Sequence, residues 1–246
     1  TVDARATGAD RKATLQPGPQ IRCRATAGPG WYRGELHLHT DHSDASWSVA
    51  ELAAGLRQRG VDFAALTDHN TVSGLPGMLA QAGEDLLVIP GMELTTFWGH
   101  ALAIGTGCWH DWRVGMNGRT INDVARDVRA TRALFIIAHP DAPPDEICTG
   151  CRWAHWSFDL GLADAVEVWG GAWNDPESGN PGSVAQWWAW LNQGHRLGAV
   201  GATDAHDYTS WQGAVPMTYV YAAELSASAI LEAIRPGHTY ISSGPT

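Results

Sequence analysis

In the segment GELHLHTDHSD (34–44), His37 and His39 stand two residues apart between Leu36 and Leu38. Residues i and i+2 of an extended chain share a face, so the two imidazoles could grip one ion. An exposed strand with alternating polar positions would read the same way. Four later segments repeat the theme of ligand-type residues following an apolar run: LTDHN with His69, GMELTTFWGHALAIG with Glu93 and His100, IAHP with His139, and GATDAH with Asp204 and His206. Taken singly, each histidine reads as readily as a cap or a packed core residue. A glutamate after the run LLVIP, however, is costly to desolvate without a cation or partner. With Asp44 the candidate ligands number nine: His37, His39, Asp44, His69, Glu93, His100, His139, Asp204 and His206. One ion accepts at most about six such groups, so at least two divalent ions are implied if all nine ligate. Imidazole and carboxylate without thiolate suit Zn, Mn or Fe better than Mg or Ca. Such ions lower the pKa of a shared water and offset charge building on oxygen in a transition state. The chemistry is hydrolysis by a metal-bound hydroxide, with Glu93 central and His206 or His69 as proton donor to the leaving group.

The elements that must position these residues alternate along the chain. Strand patterns cover 33–40, 61–67, 86–94, 99–105, 134–140, 165–169, 196–206 and 217–222, with a last one at TYISSG. Between them lie helices near 48–60, in part of 72–83, near 119–133, after 180 and near 228–235. Ser48 and Glu51 make a capping box for the first of these. The third should bury Ile121, Val124, Ala125 and Val128, and the fourth Val184, Trp187, Trp188 and Leu191. Repeated strand–helix–strand units imply parallel strands with covering helices. An open sheet gathers ligands at one switch-point crevice, whereas a barrel brings every strand end to one mouth; five or more contributing strands favour a TIM-like barrel. Residues 1–30, with QPGPQ and AGPGW, read as a Pro/Gly-rich tail or linker, and 31–246 as the metallohydrolase domain.

The chain has 246 residues, 44% of them hydrophobic and 17% charged, which is a globular balance. A net charge of −10 argues against a nucleic-acid backbone as default partner, although bound cations would reverse the local field. No apolar run approaches the roughly 20 residues of a membrane span, and the composition does not decide between a cytoplasmic protein and a secreted one that has lost its leader. The cysteines of CTGC, Cys148 and Cys151, read as a tight disulfide, a redox pair, or half of a zinc knuckle completed by Cys108 and His110 or by His155.

The order HxH, TDH, Glu–His, AHP and DAH, running from about Trp31 to the C-terminus, resembles the PHP (polymerase and histidinol phosphatase) superfamily. The wording RGELHLHTDHSD, TDHNTVSG and GMELTTFWGH is most similar to its carbaryl-hydrolase-like branch. The resemblance implies a distorted (β/α)7 barrel binding two or three metals. It further implies that His37, His39, Glu93 and Asp204 hold one ion, and that Glu93 bridges to a second completed by His100 and His139. Asp44, His69 and His206 match the third position, where many members have His in place of Asp44. His42 falls outside the family spacing and reads as a bystander. Glu167, in VEVWGG, matches an acid-containing segment of the family and ranks below the nine. The amidohydrolase superfamily also begins with HxH, but it commonly bridges its metals with a carboxylated lysine, and Lys12 is the only lysine.

The expected function is therefore a metal-dependent hydrolase of a small-molecule ester, first a phosphoesterase, alternatively a carbamate or carboxylic-ester hydrolase. A non-catalytic metal-binding regulatory domain is the alternative of another class. A nuclease, a membrane partner and a nucleic-acid partner are not expected, and the oligomeric state is open. Trp98, Trp169 and Trp173 lie near strand ends and read either as pocket lining or as helix–barrel packing.

Overall fold

Short apolar runs between turns become buried strands in the computed structural model of the chain, which describes residues 28–144, 148 and 150–244. The tail read over 1–30 thus lies, up to residue 27, outside the described residues. The order is β1 (Gly30–Glu35), α1 (Val49–Gln58), β2 (Phe63–Leu66), α2 (Leu75–Leu79), β3 (Leu87–Thr96), β4 (Gly99–Ile104), α3 (Ile121–Ala130), β5 (Leu134–Ile137), β6 (Ala165–Gly170), α4 (Asn180–Asn192), β7 (Gly198–Ala202), β8 (Met217–Ala222), α5 (Ala227–Ile234) and β9 (Thr239–Ser242). Ser48 and Glu51 form the expected capping box of α1, and Ile121, Val124, Ala125 and Val128 are the buried face of α3.

The nine strands make one sheet in the order β7-β6-β5-β4-β3-β2-β1-β8-β9. Two expectations change here. The strands are not all parallel: β4 runs antiparallel to both β3 and β5, and β8 antiparallel to β1. A two-residue turn, Phe97–Trp98, reverses the chain where a helical crossover would have kept it parallel. The count is nine, as the strand patterns give, where the family resemblance implies seven, and the way the sheet closes explains the difference. At the mouth, a parallel bridge between Leu38 and Ala205 joins the continuation of β1 directly to that of β7, so β1–β7 form a seven-strand ring. Below it, β8 pairs with Gly30–Gly34, nearly the whole of β1, and fills the gap toward β7. The architecture is a PHP-type α/β barrel.

One core fills the barrel, with Tyr32, Leu36, Phe63, Ile89, Leu102 and Ile136 from the strands and Ile230 and Ile234 from α5 closing its floor. Two others lie between the strands and their covering helices, one under α1 and α2, one under α3 and α4. On α4 the buried face differs from expectation: Val184, Trp187 and Trp190 pack inward, while Trp188 is 61% exposed.

The lower seam is sealed by a side chain. The Thr218 hydroxyl accepts from the Gly201 amide at 2.8 Å and donates to the Gly201 carbonyl at 2.7 Å. Thr218→Val would leave both groups buried without partners, and we expect a loss of about 1–3 kcal/mol. A lower urea midpoint at unchanged m-value is the signature; an unchanged midpoint would mean the seam does not depend on this hydroxyl.

Candidate metal centre

The ligand-type residues converge because most stand at the mouth end of a strand of the ring or just beyond it. His37 and His39 follow β1, His69 follows β2, Glu93 lies in β3, His100 in β4, His139 follows β5 and Asp204 follows β7. The antiparallel register sets Thr95 opposite His100, which brings the His100 ring to the face that carries Glu93. Three of the mouth residues, Asn70, His139 and Asp204, hold positive φ values of 56°, 24° and 51°. Such backbone is costly for residues with a side chain and collects at functional sites.

Glu93 is the hub. Its Oε2 lies 3.3 Å from His37 Nε2, 3.4 Å from His39 Nε2 and 2.7 Å from His69 Nδ1. Its Oε1 faces the other way, 3.0 Å from His100 Nδ1 and 3.5 Å from His139 Nε2. Asp204 Oδ1 is 3.3 Å from His37 Nε2 and 2.8 Å from His39 Nε2. At the outer edge, Asp44 lies 3.5 Å from His69 and 3.2 Å from His206. All nine sequence candidates fall into overlapping groups with metal-ligand spacing, one of which joins His39, Asp44, His69 and His206. His42 points elsewhere, to Ser73 at 2.8 Å.

These atoms fit cations better than they fit each other. Despite their proximity, His37 Nε2, both ring nitrogens of His39, Glu93 Oε2 and Asp204 Oδ1 are buried without a hydrogen bond of acceptable geometry. Buried polar groups of this kind are ordinarily satisfied, and metal ligation is one way to do it.

The surroundings hold the candidates in place. Glu167, fully buried, takes His37 Nδ1 at 2.8 Å and so turns Nε2 toward Glu93 and Asp204. Thr95 Oγ1 lies 2.6 Å from His69 Nδ1, and Trp47 Nε1 donates to the His39 carbonyl at 2.6 Å. Asp68 accepts from the Thr40 amide and hydroxyl and from Ser43, fixing the loop after β1. Glu35 belongs to none of the ligand motifs in the sequence, although it continues the i, i+2 step of His37 and His39 backward. It accepts from the amide and hydroxyl of Thr203 across the ring. Cys151, which the sequence offers for a disulfide, a redox pair or a separate zinc knuckle, also has its sulfur in a group with His100 and His139.

Electrostatics follow from burial opposed by charge. Burial raises Glu35 to about 7. Burial would also raise Glu93, but His69, His37 and His100 outweigh it and hold the carboxylate well below its usual range. Burial lowers His39 to about 4 against the pull of Asp204. Burial disfavours charge on His206 as well, yet Asp44 and Asp204 hold it up at about 9. His206 is therefore protonated at neutral pH in the absence of a metal, and an ion must displace that proton. Loading at pH 7 should release protons, and affinity should fall as pH drops. Calorimetric titration in two buffers of different ionisation enthalpy checks this, and equal heats would count against it.

A cavity of about 350 Å³ opens beside the cluster, lined by His139, Cys148, Cys151, Glu167, Asp175 and Asp204 among others. Trp98, Trp169 and Trp173 are not among its lining residues; Trp169 and Trp173 pack edge to face at 5.0 Å. Cys148 and Cys151 form a disulfide, and among the described residues neither joins Cys108, His110 or His155 in a metal-type group.

No family model and no curated protein sequence matches the chain. Solved structures do match. A two-domain protein from Bacteroides vulgatus, containing a predicted PHP-like metal-dependent phosphoesterase, superposes with TM-score 0.67 at 22% identity, over 92% of this chain and 69% of that one. The lesion-specific endonuclease Q of Pyrococcus furiosus matches with TM-score 0.57 at 14% identity, over 86% of this chain and 58% of its own. Endonuclease Q in complex with a 27-mer duplex, an abasic lesion at its active site, matches with TM-score 0.56 at 13% identity, over 83% and 56%. At these identities the likeness is one of fold. It overturns one expectation: a barrel of this type accommodates DNA, so net charge does not exclude a nucleic-acid partner. Among the described residues no helix is long and apolar enough to cross a membrane.

Proposed function

We propose that the chain is a metal-dependent hydrolase of the PHP superfamily, acting first on phosphoesters. The observation that carries the reading is Glu93, whose two oxygens face separate histidine sets in a buried mouth. His37, His39, Glu93 and Asp204 would hold one ion, Glu93, His100 and His139 a second, and Asp44, His69 and His206 a third. Zn, Mn or Fe at these positions would supply Lewis acidity and an activated water. Glu167 orients His37, and Thr95 orients His69. His206 and His69 are the proton donors to the leaving group wherever the third position is not filled, and Asp44 keeps both pointed at the mouth.

Carbamate or carboxylic-ester hydrolysis is the second reading. It is favoured by the cavity lining, which among the described residues includes acids but no Arg or Lys to clamp a phosphate dianion. The sequence resemblance to the carbaryl-hydrolase-like branch points the same way. The test is elemental analysis of the purified protein with parallel assays on p-nitrophenyl phosphate, a phosphodiester, duplex DNA with an abasic site and a 1-naphthyl carbamate. Turnover of the phosphoesters above the carbamate supports the first reading, and the reverse ranking supports the second. Less than one equivalent of metal with no turnover would sink both and leave a non-catalytic domain.

A further inference from the structure

Cys151 is fully buried in the wall of the metal mouth. Its sulfur and a ring nitrogen each of His100 and His139 lie within 4.8 Å of one another, the spacing of ligands around one ion before they close onto it. Zinc-type ions hold imidazole nitrogen at roughly 2.0–2.1 Å and thiolate sulfur at roughly 2.3 Å. Those two histidines are also the pair that faces Glu93 Oε1.

The loop that carries Cys151 is anchored to the hairpin that carries Glu93 and His100. Gly150, at φ +80°, lies so near the Thr96 carbonyl and Phe97 backbone that a side chain there would collide with them. On the other side, the Trp153 amide donates to the Pro140 carbonyl and Ala154 to that of Trp98. The sulfur is thus held beside the two histidines, and in this structure it is bonded to Cys148, which lines the open cavity.

We propose that Cys151, once released from Cys148, is a ligand of the position formed by Glu93, His100 and His139, so that the CTGC disulfide is a redox gate on one metal of the centre. The proposal rests on the metal-centre reading above. Reduction by two equivalents of a small thiol breaks the Cys148–Cys151 bond and forms the disulfide of the reductant. Cys148 keeps a proton, and Cys151 loses its own to the solvent on binding the ion. Oxidation by a small disulfide such as oxidised glutathione reverses this. The Cys148–Cys151 bond forms, the oxidant's S–S bond breaks, and two small thiols leave with the electrons. A thiolate selects softer ions, so the reduced position favours Zn or Co, while the oxidised one, with only N and O donors, suits Mn.

Cobalt(II) loading of the full chain tests this optically. The reduced wild type should show a sulfur-to-cobalt charge-transfer band that the oxidised wild type lacks. Oxidation should also weaken binding of one cobalt equivalent about tenfold or more, since even a residue behind a ligand is worth that much. Cys151→Ser should lack the band under reducing conditions. Cys148→Ser should show it without any reductant, which keeps the test valid if Cys151→Ser folds poorly. A reduced wild type that binds cobalt with ligand-field bands alone, or a band that survives in Cys151→Ser, overturns the gate and leaves the metal centre standing. Failure to bind cobalt in either redox state overturns both.

Discussion

Glu93→Gln should leave a folded protein holding less than one equivalent of metal and hydrolysing substrate at least about a hundredfold more slowly. Loss of a group that merely orients a ligand costs 10–100-fold, and Glu93 would be a ligand to two ions at once. The substitution keeps the side chain's size and removes its charge. His37, His39, His69, His100 and His139 all lie within ion-pairing distance of that carboxylate. His42→Ala is the control, since His42 bonds Ser73 and should leave metal content unchanged. Metal content and turnover measured side by side decide the matter. Full metal retention in Glu93→Gln would show that the carboxylate is not a bridge.

Stripping metal from the wild type should lower its melting temperature by roughly 10 °C. A ligand present at about a thousand times its Kd stabilises by about 4 kcal/mol, and each kcal/mol moves Tm by roughly 2–4 °C in a domain of this size. The physical source is the set of buried atoms without hydrogen bonds at His37, His39, Glu93 and Asp204. Scanning fluorimetry with a chelator, then with Zn or Mn restored, measures the shift. A Tm indifferent to both would remove the argument that the centre needs cations.

The places where sequence reading succeeds and fails have physical causes. The strand-end positions of His37, His69, His139 and Asp204 are legible because an apolar run followed by a polar residue marks both a strand and its exit. Strand direction is not encoded in such a run, so the reversal at Phe97–Trp98 passes unseen until the register is known. The outward Trp188 reflects a helix apolar on more sides than one, whose period does not single out a buried face. Cys151 reaches the mouth through a loop rather than a strand, and no periodicity announces it. Net charge misled because it sums the whole molecule, whereas a substrate meets the field of one mouth and its ions.

The bridge between Leu38 and Ala205 has a polymer consequence. It joins the two ends of the ring, and His39 and Asp204, one residue beyond and one before it, are about 165 residues apart in the chain. An ion held by both would be a clip across most of the length of the domain. Loop-closure entropy grows with the length enclosed, so a clip in this place constrains the unfolded chain more than one between near neighbours would. Residues that would hold an ion for hydrolysis would thus also place a fastening across the barrel.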